Sequence, residues 1–379
     1  MRNPLARSSI AKIIFFIIGL YIIKILNEEH IERKKSRENI RPGHSRELGQ
    51  DFLAKQSQDY KLYEKHRRFP DFLIVGASKC GTNVLKHYLH GNPYFVHTNI
   101  EDPHYFDNME HFKSGPEYYM SLMPKVYPYH RVFESTPSYF SSKLVPGRVY
   151  DFDSSMKIVI LVCDPISRAL AHYFSAESTK MENGEEHLLP RNFVFTATTA
   201  EEGLMDAIKE IFPSVVVEMM QNDPDFNTED VRDLLHQYLH QNGDRKPANF
   251  LTRGAYGYHI RHWFKYFPRD QILILNENDL RKEPWKVLNK VQEFADVDQL
   301  INISSFVKNE TSGWYCLHGK SSDHVPNCAI SDPVNDSQKR INAEFTPQTK
   351  QVLSKIFKSV EDDLTEVFGH KFKFVRETA

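Results

Sequence analysis

Three things are scarce in this chain of 379 residues: net charge, long apolar runs and cysteine. Lys and Arg total 48 and Asp and Glu total 50, so the formal net charge is only -2. A chain without an excess of positive charge has no global electrostatic reason to bind nucleic acid. Any acidic substrate must therefore be met by a local basic patch.

Long apolar runs are almost absent, and the exception lies near the N-terminus. Ile13 to Ile23 contains no charged residue, and the run extends from Ile10 to Leu26 if Lys12 and Lys24 snorkel to the membrane interfaces. A cleaved signal peptide is the competing interpretation. It requires a small-residue cleavage site, which the residues that follow the run do not offer. The sequence therefore favours an uncleaved signal anchor.

The regions on either side of this run differ in composition. Positive residues precede it and favour a cytoplasmic N-terminus. The stretch after it is almost wholly polar, cannot bury a core and is typical of a stem. We therefore predict a membrane protein with a single span and a luminal domain. Its parts are a cytoplasmic tail at 1–9, a transmembrane signal anchor at 10–26, a stem at 27–68 and a luminal domain at 69–379.

The four cysteines fall into two kinds of position. Cys316 and Cys328 lie close together in a stretch poor in core residues, where a disulfide would tie down a loop. Cys80 and Cys163 fall in core or site positions. The histidines show no metal-ligand spacing, and Cys316 with Cys328 has no companion pair of cysteines, so we predict no metal site. Glycosylation sequons, which fit a luminal domain, begin at Asn302, Asn309 and Asn335.

Short apolar runs alternate with helical patterns through the rest of the chain. Phe72 to Val75, Ile158 to Val162 and Ile272 to Leu275 are predicted as buried strands. Helical spacing follows the first two of these runs, and a helix with Thr346 as N-cap ends the pattern. The fold class is therefore α/β, a P-loop-type parallel sheet flanked by helices and preceded by the signal-anchor helix. Ligands of such sheets bind beyond the carboxyl ends of the strands.

Gly76-Ala-Ser-Lys-Cys-Gly-Thr82 follows the first buried strand and opens a helix. Glycines on both sides of a turn and a helix N-terminus with free backbone N–H groups form a cradle for an anion. The order differs from the P-loop of nucleotide kinases, because Lys79 precedes Gly81 and an acidic Mg²⁺ ligand is not evident downstream. A plain tight turn is the alternative interpretation.

This segment resembles the loop K-x-G-T of the sulfotransferases, whose donor is 3′-phosphoadenosine 5′-phosphosulfate (PAPS). Further segments resemble carbohydrate sulfotransferases in the same order along the chain. The loop with Cys316 and Cys328 is similar to one in the heparan sulfate N- and 3-O-sulfotransferases. The matching segments are Asp102-Pro-His-Tyr-Phe106, Glu134-Ser-Thr-Pro-Ser-Tyr-Phe140, Cys163-Asp-Pro-Ile-Ser-Arg168, Arg253-Gly-Ala-Tyr256 and Gly313-Trp-Tyr-Cys-Leu317.

The resemblance implies roles for individual residues. Lys79 would stabilise charge on the transferring group, and Asp102 would act as the general base, since it stands where the family has a catalytic Glu. Glu101 is the fallback base and His104 the supporting residue. The family's donor-binding positions correspond to Lys79, Cys80, Gly81, Thr82, Asn83 and Arg168.

The sequence departs from the family where the donor's 3′-phosphate binds. The family uses the Arg of R-D-P, a Ser eight residues later and a K-G-R segment. Here Cys163 and Ala171 occupy the first two positions and K-G-R is absent. Neither side chain can supply the charge-assisted hydrogen bonds that bind phosphate strongly. Residues that would compensate are Arg168, His172, Lys339 and Arg340.

Three functions follow in order of preference. The first is transfer of a sulfuryl group from PAPS, without a metal, to a hydroxyl or amine of a glycan by a Golgi membrane protein with a luminal catalytic domain, with a glycosaminoglycan as the preferred acceptor. The second is a non-catalytic glycan-binding protein of the same fold, motivated by Cys163 and Ala171. The third is a P-loop kinase, which the position of Lys79 disfavours.

Overall fold

The strands of the structure, a computed structural model, are short. In chain order they are β1 (His66–Arg67), β2 (Phe72–Gly76), β3 (Phe95–His97), β4 (Lys125–Val126), β5 (Arg131–Ser135), β6 (Lys157–Val162), β7 (Ile272–Asn276), β8 (Phe306–Lys308) and β9 (Tyr315–Leu317). The structure describes residues 64–183, 199–223, 225–243, 249–310, 313–318, 328, 345–369 and 374, with side chains described to residue 175 in the first range.

Helices occupy most of the remaining described residues. In chain order they are α1 (Thr82–Leu89), α2 (Met109–Lys113), α3 (Gly115–Ser121), α4 (Val145–Phe152), α5 (Pro165–Asn183), α6 (Ala200–Ile211), α7 (Ser214–Asn222), α8 (Thr228–Asn242), α9 (Asn249–Thr252), α10 (Tyr256–Phe264), α11 (Glu277–Lys282), α12 (Pro284–Phe294) and α13 (Pro347–Phe368). Short 3₁₀ segments span Pro137–Ser141, Arg269–Gln271 and Ile303–Ser305.

The main sheet is parallel and has the strand order β3-β5-β2-β6-β7. The three strands predicted from apolar runs are confirmed as β2, β6 and β7, which are neighbours. Every residue of β2 is buried, as expected of a strand covered on both faces. The predicted α/β fold with a parallel sheet flanked by helices is therefore confirmed. The smaller pairs β1-β4 and β8-β9 are antiparallel.

The sequence did not predict β3 and β5. Strand β5 carries Arg131 and Glu134, and a charged residue interrupts the apolar pattern by which buried strands are recognised. Glu134 is fully buried because polar partners surround it: Thr136 Oγ1 donates to Oε1 at 2.8 Å, and the Tyr119 hydroxyl donates to Oε2. Burial raises the pKa of Glu134. A buried carboxylate is tolerated where such hydrogen bonds satisfy it.

The helix predictions agree well with the described residues. Thr346 caps α13, and its side chain accepts a hydrogen bond from the backbone N–H of Thr349. Helices α6 and α8 lie between α5 and α9. The helix α10 packs against α13.

Several predictions lie outside the described residues. They concern the tail, the anchor, most of the stem, Asn335 and the pair Lys339 and Arg340. Within the ranges that are described, the helices are all too short or too polar to cross a bilayer.

Candidate active site

The loop between β2 and α1 is shaped for close approach to a ligand. Gly81 caps α1 with φ 83°, and a side-chain cap is not present among the described residues. The first N–H groups of the helix therefore have no intrahelical partner. At the other end of the loop, a Cβ on Gly76 would lie 2.6 Å from the Pro137 carbonyl oxygen, so a side chain there is excluded. We call residues 76–82 the anion loop.

Lys79 lies at the exposed crest of the anion loop. Its backbone has φ 70°, in the left-handed region, which turns the chain sharply before Gly81. The Nζ atom donates a hydrogen bond to Ser175 Oγ on α5 at 2.7 Å. The cation is thus held above the loop by a helix that follows β6, the neighbour of β2.

A disulfide joins the anion loop to the end of β6. Cys80 and Cys163 are bonded, with their Cα atoms 5.2 Å apart, and the Tyr256 hydroxyl donates to the Cys163 carbonyl oxygen at 3.0 Å. All three residues are buried. The sequence placed Cys80 among the donor-binding residues, but its sulfur is in this bond and its N–H donates to Ala77 O at 3.1 Å. The side chain and the N–H of Cys80 are therefore already engaged.

A second loop, between β3 and α2, carries the predicted base. Asp102 and His104 both have left-handed backbones, with φ 41° and 51°. His104 Nδ1 lies 3.0 Å from Asp107 Oδ1, and Ser138 Oγ donates to Asp107 Oδ2 at 2.5 Å. We call residues 98–107 the base loop. Because Ser138 belongs to the segment that contacts Gly76, these bonds connect the base loop to the anion loop.

The pKa values in the base loop shift in different directions. Partial burial raises the pKa of Asp102, although the residue is exposed at the surface. The hydrogen bond to Asp107 raises the pKa of His104. Burial alone would raise the pKa of Asp107, but the hydrogen bonds from His104 and Ser138 outweigh it and lower the pKa. The loop therefore holds a hydrogen-bonded His104–Asp107 pair beside a carboxylate that binds protons more readily than usual.

The residues near the expected 3′-phosphate site are buried. Arg168 is 1% exposed, and its Nη2 donates to the Phe250 carbonyl oxygen. Ala171 is buried, and Cys163 is in the disulfide. Asp164 caps α5 by accepting from Ser167 N at 2.8 Å. The structure thus places Arg168 in the interior, and its role in donor binding stays a prediction.

The predicted disulfide between Cys316 and Cys328 is confirmed. The hairpin of β8 and β9 brings Trp314 to the anion loop, where a Cβ on Gly81 would lie 3.8 Å from the indole. The Arg281 guanidinium stacks over Trp314 at 4.6 Å. Of the sequons, Asn302 is exposed and Asn309 is partly buried.

Sequence reasoning missed two partners of the predicted site residues. Asp107 lies three residues after His104, and this spacing within the base loop was the available signal. Lys86 was missed because a lysine on a helix is normally solvated, yet it is buried here and paired with Glu101. The described residues contain no group of three or more His, Cys, Asp or Glu that could hold a metal ion.

Comparisons with known proteins identify the family of the chain. The family model described as "Sulfotransferase domain" matches residues 69–365. The human protein "Heparan sulfate glucosamine 3-O-sulfotransferase 5" is 27% identical over 312 residues, or 82% of this chain and 76% of that protein. Human "Heparan sulfate glucosamine 3-O-sulfotransferase 3A1" is 23% identical over 82% of this chain and 64% of its own length.

Among solved structures, the sulfotransferase from Alicyclobacillus acidocaldarius is similar, with a TM-score of 0.50 and 17% identity. The likeness covers 80% of this chain and 98% of that one. At this identity the likeness concerns the fold alone.

Proposed function

Because the chain belongs to the sulfotransferase domain family, we propose that it transfers a sulfuryl group from PAPS to a hydroxyl of a heparan-sulfate-type glycosaminoglycan. The observation that carries the proposal is the meeting of the anion loop and the base loop at the carboxyl edge of one parallel sheet. Ser138 links them, since it donates to Asp107 at 2.5 Å and lies next to Pro137, which contacts Gly76. Ligands of open α/β sheets bind at this edge.

The anion loop suits the 5′ side of the donor. The N–H groups at the start of α1 and the ammonium of Lys79 would hold the phosphosulfate, which carries negative charge. The expected binding site for the donor's 3′-phosphate is less well suited to an anion, because Cys163 and Ala171 are uncharged and buried. Donor binding would therefore depend mainly on the anion loop.

The base loop suits proton removal from an alcohol. Asp102 would take the proton of the acceptor hydroxyl as the acceptor oxygen bonds to sulfur. The cation of Lys79 would stabilise the charge that collects on the leaving phosphate oxygen as its bond to sulfur breaks. His104, held by Asp107 at 3.0 Å, would orient the acceptor beside Asp102. The names of the curated relatives support a glucosamine 3-hydroxyl as the acceptor position.

The proposal is tested with the purified full chain, radiolabelled PAPS and heparan sulfate. We expect label in the polymer with the wild type and a loss of at least about 100-fold with Lys79→Ala, because one donor to the reacting centre is removed. Lys350→Ala is the matched control, since Lys350 is exposed on α13. Full activity of the Lys79 variant, with both variants equally stable, would refute the mechanism.

A non-catalytic glycan-binding protein is the second candidate, and the uncharged Cys163 and Ala171 favour it. Calorimetric titration with 3′-phosphoadenosine 5′-phosphate and with the analogue that lacks the 3′-phosphate separates the two functions. Binding that depends on the 3′-phosphate supports the enzyme. Retention on heparin without binding of either nucleotide supports the glycan-binding protein.

The compartment we propose is the Golgi lumen, with residues 10–26 as a membrane anchor and residues 69–379 as the luminal part. Two disulfides and an exposed sequon at Asn302 support an oxidising, glycosylating compartment. Protease protection in intact microsomes, with glycosidase treatment, tests the orientation. Digestion of the C-terminal domain by protease outside sealed vesicles would exclude this orientation.

A further inference from the structure

Lys86 is a charged residue on the buried side of α1. It is 8% exposed, and its ammonium donates to the Glu101 carboxylate. Lysine is seldom buried to this extent without a partner. Glu101 belongs to the base loop and its side chain is 73% exposed. The ion pair therefore connects the helix that begins at the anion loop to the residue immediately before Asp102.

The base loop needs anchors on both sides of Asp102. The left-handed backbones of Asp102 and His104 are unfavourable for residues other than glycine and persist only where surrounding contacts impose them. After Asp102, the His104–Asp107–Ser138 hydrogen bonds hold the chain. Before Asp102, the Asn99 side chain donates to the Met123 carbonyl oxygen at 3.1 Å, and the Lys86 ammonium donates to Glu101, the residue adjacent to Asp102.

Charges of both signs surround Asp102. Burial has the largest effect on the pKa of Asp102 and raises it; His104 and Lys86 lower this pKa, whereas Glu101 and Asp107 raise it. Asp102 thus lies between two pairs, Lys86–Glu101 and His104–Asp107. In each pair, one member lowers the pKa of Asp102 and the other raises it. Glu101 also faces two histidines, and the pKa of one, His97, is lowered by burial and by Lys86.

We propose that Lys86 and Glu101 are positioning residues for Asp102: the buried ammonium fixes Glu101, and Glu101 holds the adjacent Asp102 carboxylate in place. The inference rests on the proposed function, in which Asp102 is the base. It assigns to a helix residue outside the anion loop a role in the acceptor half of the reaction.

Lys86→Met and Glu101→Gln test the pair through opposite shifts of the pH profile. In Glu101→Gln the negative charge of Glu101 no longer opposes the positive charge of Lys86, so the pKa of Asp102 should fall. The acidic limb of the pH profile of kcat/KM for heparan sulfate should therefore move to lower pH. In Lys86→Met the positive charge of Lys86 no longer opposes the negative charge of Glu101, so the pKa of Asp102 should rise and the acidic limb should move to higher pH. Both variants should lose about 10-fold to 100-fold in kcat, because the base is misplaced. The KM for PAPS should stay within about twofold of wild type.

Two further variants separate positioning from structural damage. Lys86→Arg keeps the charge and should retain most of the activity. Lys286→Met removes one member of an exposed pair, Lys286 with Glu283 at 2.5 Å, and should change neither rate nor pH profile. Shifts of the acidic limb in the same direction in Lys86→Met and Glu101→Gln, or no shift in either, would overturn the inference.

Hydrogen–deuterium exchange of residues 98–107 in the full chain provides a readout that does not depend on activity. Lys86→Met should speed exchange there at least about tenfold, and Lys286→Met should leave it unchanged. If the wild type transfers no sulfuryl group but Lys86→Met loosens this loop, the proposed function fails and the anchoring of the loop stands. Unchanged exchange in Lys86→Met refutes the anchoring itself.

Discussion

Replacing Cys80 and Cys163 together with alanine should cost this protein a large part of its stability. The bond closes a sequence separation of 83 residues, against 12 for Cys316 and Cys328. Loop-closure entropy of the unfolded chain then gives about 4.5 kcal/mol for the first disulfide and about 3 kcal/mol for the second. The long-range bond should therefore contribute more than the local one.

The assay is denaturant unfolding of the full chain with either pair replaced by alanine. In a thermal melt of the same variants, the loss of the first disulfide corresponds to a fall in Tm of about 7 °C for a domain of this size. The two half-cystines are 0% and 5% exposed, so alanine also leaves a small cavity that adds to the loss. Because the bond holds the anion loop to β6, the Kd for 3′-phosphoadenosine 5′-phosphate should rise about tenfold in the same variant.

Three results would each refute a part of this reasoning. Free thiols in the denatured, unreduced wild type would mean that the bond does not form. A loss of stability no larger than that of the Cys316→Ala, Cys328→Ala variant would mean that chain entropy does not set the effect. Nucleotide affinity equal to wild type would show that Tyr256 and the sheet hold the anion loop without the disulfide.

Two further predictions concern residues outside the anion loop. Burial lowers the pKa of His97 to about 4, so the unfolded state binds more protons between pH 4 and 6.5 and stability rises with pH there. Urea unfolding should show up to about 2 kcal/mol less stability at pH 5 than at pH 7, and His97→Gln should remove that difference; an unchanged slope contradicts the shift. Gly257→Ala should destabilise the fold by about 2–3 kcal/mol, since its Cβ would lie 2.2 Å from Asp363 Oδ2. Asp363 is held by Arg261 at 2.5 Å, so it cannot move aside freely, and a thermal melt equal to wild type would show that α10 and α13 can separate.

The part of the fold that could be predicted from the sequence is the part with continuous or periodic apolar residues. Strands β2, β6 and β7 are continuous apolar runs, and each was found from the sequence. Strand β5 was not, because Glu134 depends on Tyr119 and Thr136 for its partners, and these meet it only in the folded chain. Whether a carboxylate can be buried depends on hydrogen-bond partners that the tertiary fold brings to it, so the pattern of neighbouring residues in the sequence does not reveal it.

The candidate site was predictable where its residues are close in sequence. The anion loop and the base loop each lie within one short segment, so their residue types suggested their chemistry. The pairing of Cys80 with Cys163 was not visible, because it requires β2 and β6 to be neighbours in the sheet. The pairing of Lys86 with Glu101 likewise requires α1 to lie beside the base loop.

The disulfide changes how the departures from the family should be understood. Taken singly, Cys163 stands where the resembling motif has an arginine, and Cys80 is a residue inside a glycine-rich loop. Taken together, the two form a covalent bond between the anion loop and the end of β6, at the position where the family has a charged side chain. An arginine at position 163 would leave Cys80 without its partner, so the two residues are best treated as one change. Under the proposed function, the disulfide holds the anion loop rigidly at the position where the resemblance to the family would place a contact to the donor, so the donor's 3′-phosphate would be bound by residues outside this pair.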